Sequence, residues 1–598
     1  MLKLFKYFKP YIWLIIILLA LTYIQVMTNL ELPDYMAKIV DLGIMGKDNS
    51  QILDNGTKML IVSLLGGIAT VGIGFLAAKI ATGFAKDLRE RVFAKVESFS
   101  LAEFNKFSTA SLITRSTNDI QQIQMVYIMI LRMVLAAPFM AAGAIFKAYN
   151  TAPSMSWIIA LAVTVMFGVI GILFTFALPK FELLQKLVDK LNLVTRQNLT
   201  GLRVIRAFKN EKVEERKFEA VNNDLTNVSL FVNRLMVIMQ PVIMLIFNLT
   251  TIAIVWYGAK LIGSDSMQIG DMLAFMQYAM QVIMAFLMVS FIFIMVPRAS
   301  VSAKRIGEVL ATEQIIKDPE RSQTPKKESL GIVEFKDVTF SYPGADLPAL
   351  TNISFIAKPG ETTAFIGSTG SGKSSLINLI PRFYDVTAGQ VLIDGVDVRE
   401  INLEELYRKI GYVPQKSVLF SGTVESNLKY GAPKAEKKEI EKSIEVAQAS
   451  EFINGLEKGL QSSIAQGGTN VSGGQKQRLS IARALAKKPE IYIFDDSFSA
   501  LDFRTDALLR KALISETKNK TVLIIGARVG TIMHADNIIV LDDGKIVGQG
   551  KHSTLLKTCD VYKEIALSQL SEKELDHGGI VQKKNTARDD KNSGGQNE

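Results

Sequence analysis

Six apolar runs dominate the first half of the chain, at about residues 11–30, 59–78, 125–146, 157–178, 235–259 and 272–296. Each approaches or exceeds the ~20 residues that a helix needs to cross a bilayer core. Five carry no charge, and the third contains Arg132. The first run is too long for a signal-peptide core and lacks a small-residue cleavage site, so it is expected to be retained. Lys and Arg crowd the N-terminal MLKLFKYFKP and the long segments 79–124 and 179–234, whereas 148–156 and 263–271 contain neither. Positive loops stay on the cytosolic side, so both termini and both long loops are expected there. MLKLFKYFKP reads as a short interfacial helix with Leu2, Phe5 and Phe8 able to face lipid.

Past Pro297 the pattern changes. Short apolar runs (VEFKDVTF, TTAFIG, IYIFDD, TVLIIG, NIIVLDDG) alternate with helical stretches, which predicts a largely parallel α/β sheet. The expected organisation is a transmembrane domain at 1–308, a polar linker at 309–331, a soluble domain at 332–567 and a polar, disordered tail at 568–598. Composition agrees with a membrane protein, since 48% of residues are apolar. The net charge of +10 comes from Lys and Arg flanking the apolar runs, so no nucleic-acid partner is expected. A single cysteine, Cys559, excludes a disulfide framework and a cysteine-built metal site.

The chemistry lies in the soluble part. Gly367, Ser368, Thr369, Gly370, Ser371, Gly372, Lys373, Ser374 and Ser375 form a glycine loop between a strand and a helix, fitting G-x-x-x-x-G-K-[ST]. Such a loop turns backbone N–H groups onto phosphate oxygens. Lys373 is expected to reach the β- and γ-phosphates of ATP, and Ser374 to ligate Mg²⁺. IYIFDD ends in Asp495 and Asp496, two carboxylates at the tip of a buried strand.

Further stretches define a resemblance. Asn470-Val-Ser-Gly-Gly-Gln-Lys-Gln-Arg478, which includes Ser472, Gly473, Gly474 and Gln475, resembles the signature motif of ABC transporters. Gln415 in GYVPQ resembles their Q-loop, Ser499-Ala-Leu-Asp502 their D-loop, and Tyr342 in FSYPG their adenine-stacking aromatic. Six spans ahead of this domain resemble one half of a type I ABC exporter. The segments 111–119 and 198–208 resemble its coupling segments. The resemblance implies an α-helical transmembrane domain of six helices, then an α/β P-loop ATPase domain with a helical signature subdomain. It implies ATP and Mg²⁺ as cofactors, with Asp495 and Gln415 beside Ser374 at the metal. It also implies pairing of two halves, each ATP lying between one P-loop and the other chain's signature. Tyr342 as an ordinary strand aromatic and Gln415 as a turn residue are the plainer readings.

Two departures bear on activity. Family members place glutamate, the general base, where this chain has Asp496. One fewer methylene withdraws the carboxylate by about 1.5 Å, and a base must come within roughly 2.6–3.2 Å of its proton. The family's switch histidine is replaced by Ala527. The chain therefore resembles the degenerate half of heterodimeric bacterial multidrug exporters. Its expected partner is a second half with an intact glutamate, and its expected place is the plasma membrane of a bacterium. A homodimeric lipid or peptide exporter and a regulatory ATP-binding membrane protein are the alternatives. In the sixth span, Met272, Met276, Met280, Met284 and Met288 form an i, i+4 stripe beside Gln277 and Gln281. The stripe is either part of a cavity for hydrophobic small molecules or simple packing. Arg132 faces that cavity or marks the cytosolic edge, and Pro241 is expected to kink the fifth span.

Overall fold

The computed structural model describes residues 2–323 and 331–570, so most of the expected tail and part of the linker lie outside the described residues. The chain divides into two compact units: Met1–Glu97 with Thr109–Thr312, and Ser98–Ser108 with Glu313–Glu598.

The first unit carries six candidate membrane spans, each inside one of the helical stretches Phe5–Met45, Asn49–Glu97, Thr109–Thr151, Pro153–Thr200, Glu211–Gly263 and Ile269–Val289. Helices are forced here because hydrocarbon offers no partner to a backbone amide or carbonyl. Large apolar side chains such as Leu64, Val71, Phe75 and Trp256 point outward, as befits a lipid-solvated surface. Inside, small residues let helices approach. Ala77, Ala81 and Ala85 recur at intervals of four on a buried face of the second span. Pro241 lies inside the continuous helix Glu211–Gly263. The N-terminal segment Leu2–Tyr11 is a 3₁₀ helix, and only part of its expected apolar face points outward. Phe5 is exposed, but Phe8 is buried, stacked on Phe84 at 4.4 Å and edge-on to Tyr127 at 4.7 Å.

Polar groups also join spans. Lys147 lies 2.8 Å from Glu31 and 2.5 Å from Asp34. The Tyr278 hydroxyl donates to Asp34 and, at 3.1 Å, to the Leu30 carbonyl. The first, third and sixth spans are thereby tied around one cation.

The second unit is built on a six-stranded sheet. Its order is Lys545–Gly550, Asn537–Asp542, Thr362–Ile366, Thr521–Ile525, Ile491–Asp495 and Ile410–Val413. All neighbours run parallel except the first pair. The interior strands Thr521–Ile525 and Ile491–Asp495 are buried throughout because both faces are covered, and they are apolar except at their ends, Asp495 and Thr521. An antiparallel sheet of Leu350–Ala357, Val333–Phe340, Ala388–Ile393 and Val396–Asp397 shares one core with one face of the parallel sheet. The core on the other face extends to helices Val424–Lys429, Lys437–Val446 and Gly473–Ala486. The described part of the unit runs past the expected boundary at 567, since Leu570 packs against that core and Gln569 bonds the Ala527 carbonyl and the Val529 amide.

The expected coupling segment at 111–119 needs correction. The stretch that joins the second unit is 98–108, just upstream. Ser100 caps helix Leu101–Lys106, Ala102 packs on the apolar core, and Asn105 donates to the Tyr384 hydroxyl at 3.2 Å. Helix Thr109–Ser116 belongs to the first unit, where Arg115 donates to the Arg305 carbonyl at 2.6 Å and pairs with Glu308 at 3.0 Å. The stretch 198–208 also lies in the first unit. Its helix Leu202–Ala207 buries no residue, and Leu199, Leu202, Val204 and Phe208 are exposed.

Removing Lys147 leaves two carboxylates facing each other among three spans. A double-mutant cycle of Lys147→Met with Asp34→Asn, read by thermal unfolding in lipid nanodiscs, should give a coupling of roughly 0.5–3 kcal/mol. A value near zero would show that the pair is solvated and fastens nothing.

Candidate functional site

The parallel register sets the site. Ile525 pairs with Phe365 on one side and Asp495 on the other, while Val413 pairs with Phe494. The chain leaves these four strands at neighbouring points, as the glycine loop, the Asp495–Asp496 step, the Ala527 segment and the Gln415 loop. In an open parallel sheet this edge is where ligands bind.

Within the glycine loop, Gly370 and Gly372 have φ of 88° and 97°, a region that favours glycine. A Cβ on Gly372 would also lie 2.9 Å from the Ala349 carbonyl oxygen. Lys373 Nζ donates to the carbonyls of Gly367 at 2.8 Å and Ser368 at 2.7 Å, and to Ser371 Oγ at 3.2 Å. Burial lowers the Lys373 pKa, partly offset by the charges of Asp496 and Asp495. Ser374 Oγ lies 3.5 Å from Asp495 Oδ1. Tyr342 places its hydroxyl 2.8 Å from Ser375 Oγ, and its ring meets Phe340 and Tyr384 edge-on.

Asp495 is buried at the strand tip. Burial raises its carboxyl to about 6, helped by the neighbouring Asp496 charge and opposed by the Ser374 and Tyr412 hydroxyls and Lys373. Asp496 follows with φ of 45°, left-handed and unusual outside glycine. Its amide donates to the Ile525 carbonyl at 3.2 Å, and its own carbonyl accepts from Ser499 Oγ at 2.9 Å. Gln415 Nε2 donates to Asp496 Oδ2 at 3.3 Å. The backbone direction of Asp496 is thus fixed by the strand beside it, and its short side chain is held by Gln415.

The structure therefore gathers the glycine loop, Tyr342, Gln415, Asp495 and Asp496 through direct contacts. Ser472–Gln475 is not joined to this group by a hydrogen bond among those described, and it opens a helix of its own. Ser472 caps helix Gly473–Ala486, with Gln475 completing the capping box. A Cβ on Gly473 meets no atom within 4 Å, whereas one on Gly474 would lie 3.3 Å from the Ala500 carbonyl oxygen.

Two contributors lack a local sequence signal. Tyr412 precedes Val413-Pro414-Gln415, and its ring packs against that of Phe383. Its hydroxyl bonds Asn378 at 3.2 Å and sits by Asp495. Gln569 spans the Ala527 segment. Its Nε2 donates to the Ala527 carbonyl at 3.0 Å, and its Oε1 accepts from the Val529 amide at 2.8 Å.

The methionine stripe divides. Met272 and Met276 pack against the core of the first unit, whereas Met280, Met284 and Gln277 are exposed on the single chain. Gln281 donates to the Asn29 carbonyl at 3.2 Å. Arg132 is exposed, in the π-helical turn Ile130–Val134.

A six-span helical unit joined to a P-loop unit with a helical subdomain defines a membrane transporter driven by ATP. Residues 15–286 match the ABC transporter transmembrane region family, and residues 350–499 match the ABC transporter family. An uncharacterized ABC transporter ATP-binding protein of Mycobacterium tuberculosis is 41% identical over 567 residues, covering 94% of this chain and 97% of the relative. A second one, from Bacillus subtilis, is 39% identical over 579 residues, covering 95% and 98%. An ATP-dependent lipid A-core flippase of Syntrophus aciditrophicus is 31% identical over 523 residues, covering 86% and 85%. The fold is similar to that of a bacterial Atm1-family ABC exporter with ATP bound, with a TM-score of 0.77 at 24% identity, covering 94% and 98%. The chain belongs to the ABC transporters: it is an exporter-type half-transporter and ATPase, multi-pass, with its ATPase domain cytosolic.

Asp495 offers a direct test of the buried carboxylate at the strand tip. Its folded value lies above the ordinary 3.8, so the folded state holds the proton more tightly and stability falls as pH rises through this window. Asp495→Asn should raise the melting temperature of the ATPase unit by ~2–4 °C at about pH 7.5. The gain should vanish towards about pH 4, and the stabilisation conferred by ATP–Mg²⁺ should be lost. A variant that melts lower at neutral pH would show Asp495 to be structural.

Proposed function

We propose that this chain is the ATP-holding half of a heterodimeric exporter of hydrophobic and amphipathic compounds in a bacterial plasma membrane. The observation that carries the reading is a mismatch within one chain. Asp496 and Ala527 stand where hydrolysis calls for glutamate and histidine, yet the signature is intact, with open space around Gly473.

The donor set fits Mg²⁺, because the Ser374 hydroxyl and the Asp495 carboxylate are hard oxygen ligands 3.5 Å apart, and Gln415, bonded to the adjacent Asp496, would add its amide oxygen. Mg²⁺ held there would neutralise phosphate charge. Lys373 exchanges loop carbonyls for phosphate oxygens, the glycine-loop amides orient the phosphates, and Tyr342 offers its ring to adenine. Asp496 stays within reach of Gln415 and short of an attacking water, and Ala527 has no side-chain donor for the γ-phosphate. ATP therefore binds and persists. Meanwhile Ser472, Gly473, Gly474 and Gln475 serve a partner chain's competent site. Met276, Met280, Met284, Gln277, Gln281 and Arg132 contribute to the substrate path; the exposure of Met280 and Met284 supports their share.

A second reading is a homodimeric lipid exporter, favoured by the relatives named lipid A-core flippases. Purified alone, the chain should bind ATP–Mg²⁺ and hydrolyse it very slowly. Robust turnover by a verified homodimer would favour the second reading.

Three variants of the assembled complex decide how the sites share the work. A Cβ at Gly473 meets nothing in its own chain, so a loss of ATPase by roughly 100-fold or more in Gly473→Trp is expected to report on the partner's site. Asp496→Asn should change the rate by less than about threefold, since little catalysis is lost where little exists. Lys373→Ala should fall between. Equal damage from Asp496→Asn and Gly473→Trp would mean that both sites fire.

A further inference from the structure

The chain passes between its two units at three points: 97/98, 108/109 and 312/313. Two of these crossings are fastened to each other. Gln314 Nε2 donates to the Ser98 carbonyl at 3.1 Å, and the Ile315 amide donates to Glu103 Oε1 at 2.6 Å. The other carboxylate oxygen, Oε2, accepts from the Ser100 amide at 2.7 Å and from the Ser100 hydroxyl. Glu103 is buried, 3% exposed, and both its oxygens are used.

Beyond Ile315 the linker is sewn onto the ATPase unit. Arg382 donates to the Lys317 carbonyl at 3.1 Å, and Asp318 accepts from the Leu403 amide at 2.8 Å. The Asn402 amide donates to Ser322 Oγ at 3.1 Å. On the other side of the clasp, Asn105 reaches Tyr384. Arg382 and Tyr384 are two residues apart, close behind the helix Lys373–Leu379 that follows the glycine loop. The chain returning from the sixth span and the chain arriving from the second are thus held at one node, a few residues past the helix that follows the glycine loop.

We propose that Glu103 is a positioning residue for coupling: its carboxylate locks the linker to the 98–108 segment, so that nucleotide-driven movement of the ATPase unit reaches the second and sixth spans as one displacement. A carboxylate suits this task because it presents two acceptors and no donor to three donors. Glutamine would turn one arm into a donor facing a donor. Aspartate would keep the cap on Ser100 but fall short of Ile315, so it separates the local helix start from the tie to the linker. The proposal rests on membership of the ABC transporters and is indifferent to how two ATP sites divide hydrolysis.

The test uses the full-length protein, with any partner that co-purifies, in lipid nanodiscs. Spin labels at Ser50→Cys and Ser266→Cys, both exposed in the membrane unit, report its response to ATP–Mg²⁺ with orthovanadate. Trinitrophenyl-ATP reports nucleotide binding. Glu103→Asp and Gln314→Ala should each lower the ratio of shifted to unshifted label populations by roughly two- to thirty-fold, with nucleotide affinity changed by less than about twofold. The double variant should be worse than either. Three results would overturn the proposal: an unchanged shift in Glu103→Asp, loss of nucleotide binding in parallel with the shift, or no shift in the unsubstituted protein.

Discussion

The chemistry of this protein depends on the parallel register of four strands. Because Phe365, Ile525, Asp495 and Phe494 with Val413 are locked side by side, the segments that leave those strands emerge at one edge, and none of them could be moved alone. The amide of Asp496 bonds the Ile525 carbonyl, so even the direction in which its carboxylate sets out is dictated by the neighbouring strand. A side chain shorter by one methylene cannot compensate by sliding. The sheet turns a small change of side chain into a fixed displacement of charge.

The membrane unit obeys a different constraint, the absence of any solvent partner for its backbone. That is why its spans could be read from apolar length alone, and why Leu64, Val71 and Phe75 point outward without penalty. The glycine loop was equally legible, since its residues are consecutive and only glycine suits the left-handed turn at Gly372. What stayed hidden depends on contacts between distant parts of the chain. Nothing in the periodicity of MLKLFKYFKP distinguishes Phe5 from Phe8, yet Phe84 waits for one of them alone. The methionine stripe keeps its spacing, but two of its members turn into the core. The segment that joins the ATPase unit, 98–108, lies just upstream of SLITRSTND, and contacts with the distant core, such as the packing of Ala102, distinguish the two stretches. Glu103, buried by a linker more than two hundred positions away, gives no local sign of its role.

Burial and charge then set the character of the site. Asp495 sits in a strand that is apolar on both faces, and its proton affinity rises accordingly. Asp496, one residue on, lies partly open and beside Gln415. Two adjacent carboxylates thus occupy different environments because one ends the sheet and the other begins the turn.

The clasp of Gln569 on the Ala527 segment has a practical meaning for anyone who shortens or tags this protein. Helix Asp560–Gln569, the last among the described residues, looks like a dispensable end, and a cut after Leu567 would respect the apparent edge of the domain. Such a cut would strip the Ala527 carbonyl and the Val529 amide of their shared partner and loosen a segment lying next to the nucleotide edge. A truncation made to improve crystals could then be mistaken for an effect of the missing histidine. Fusions placed after Leu570 leave the contact whole.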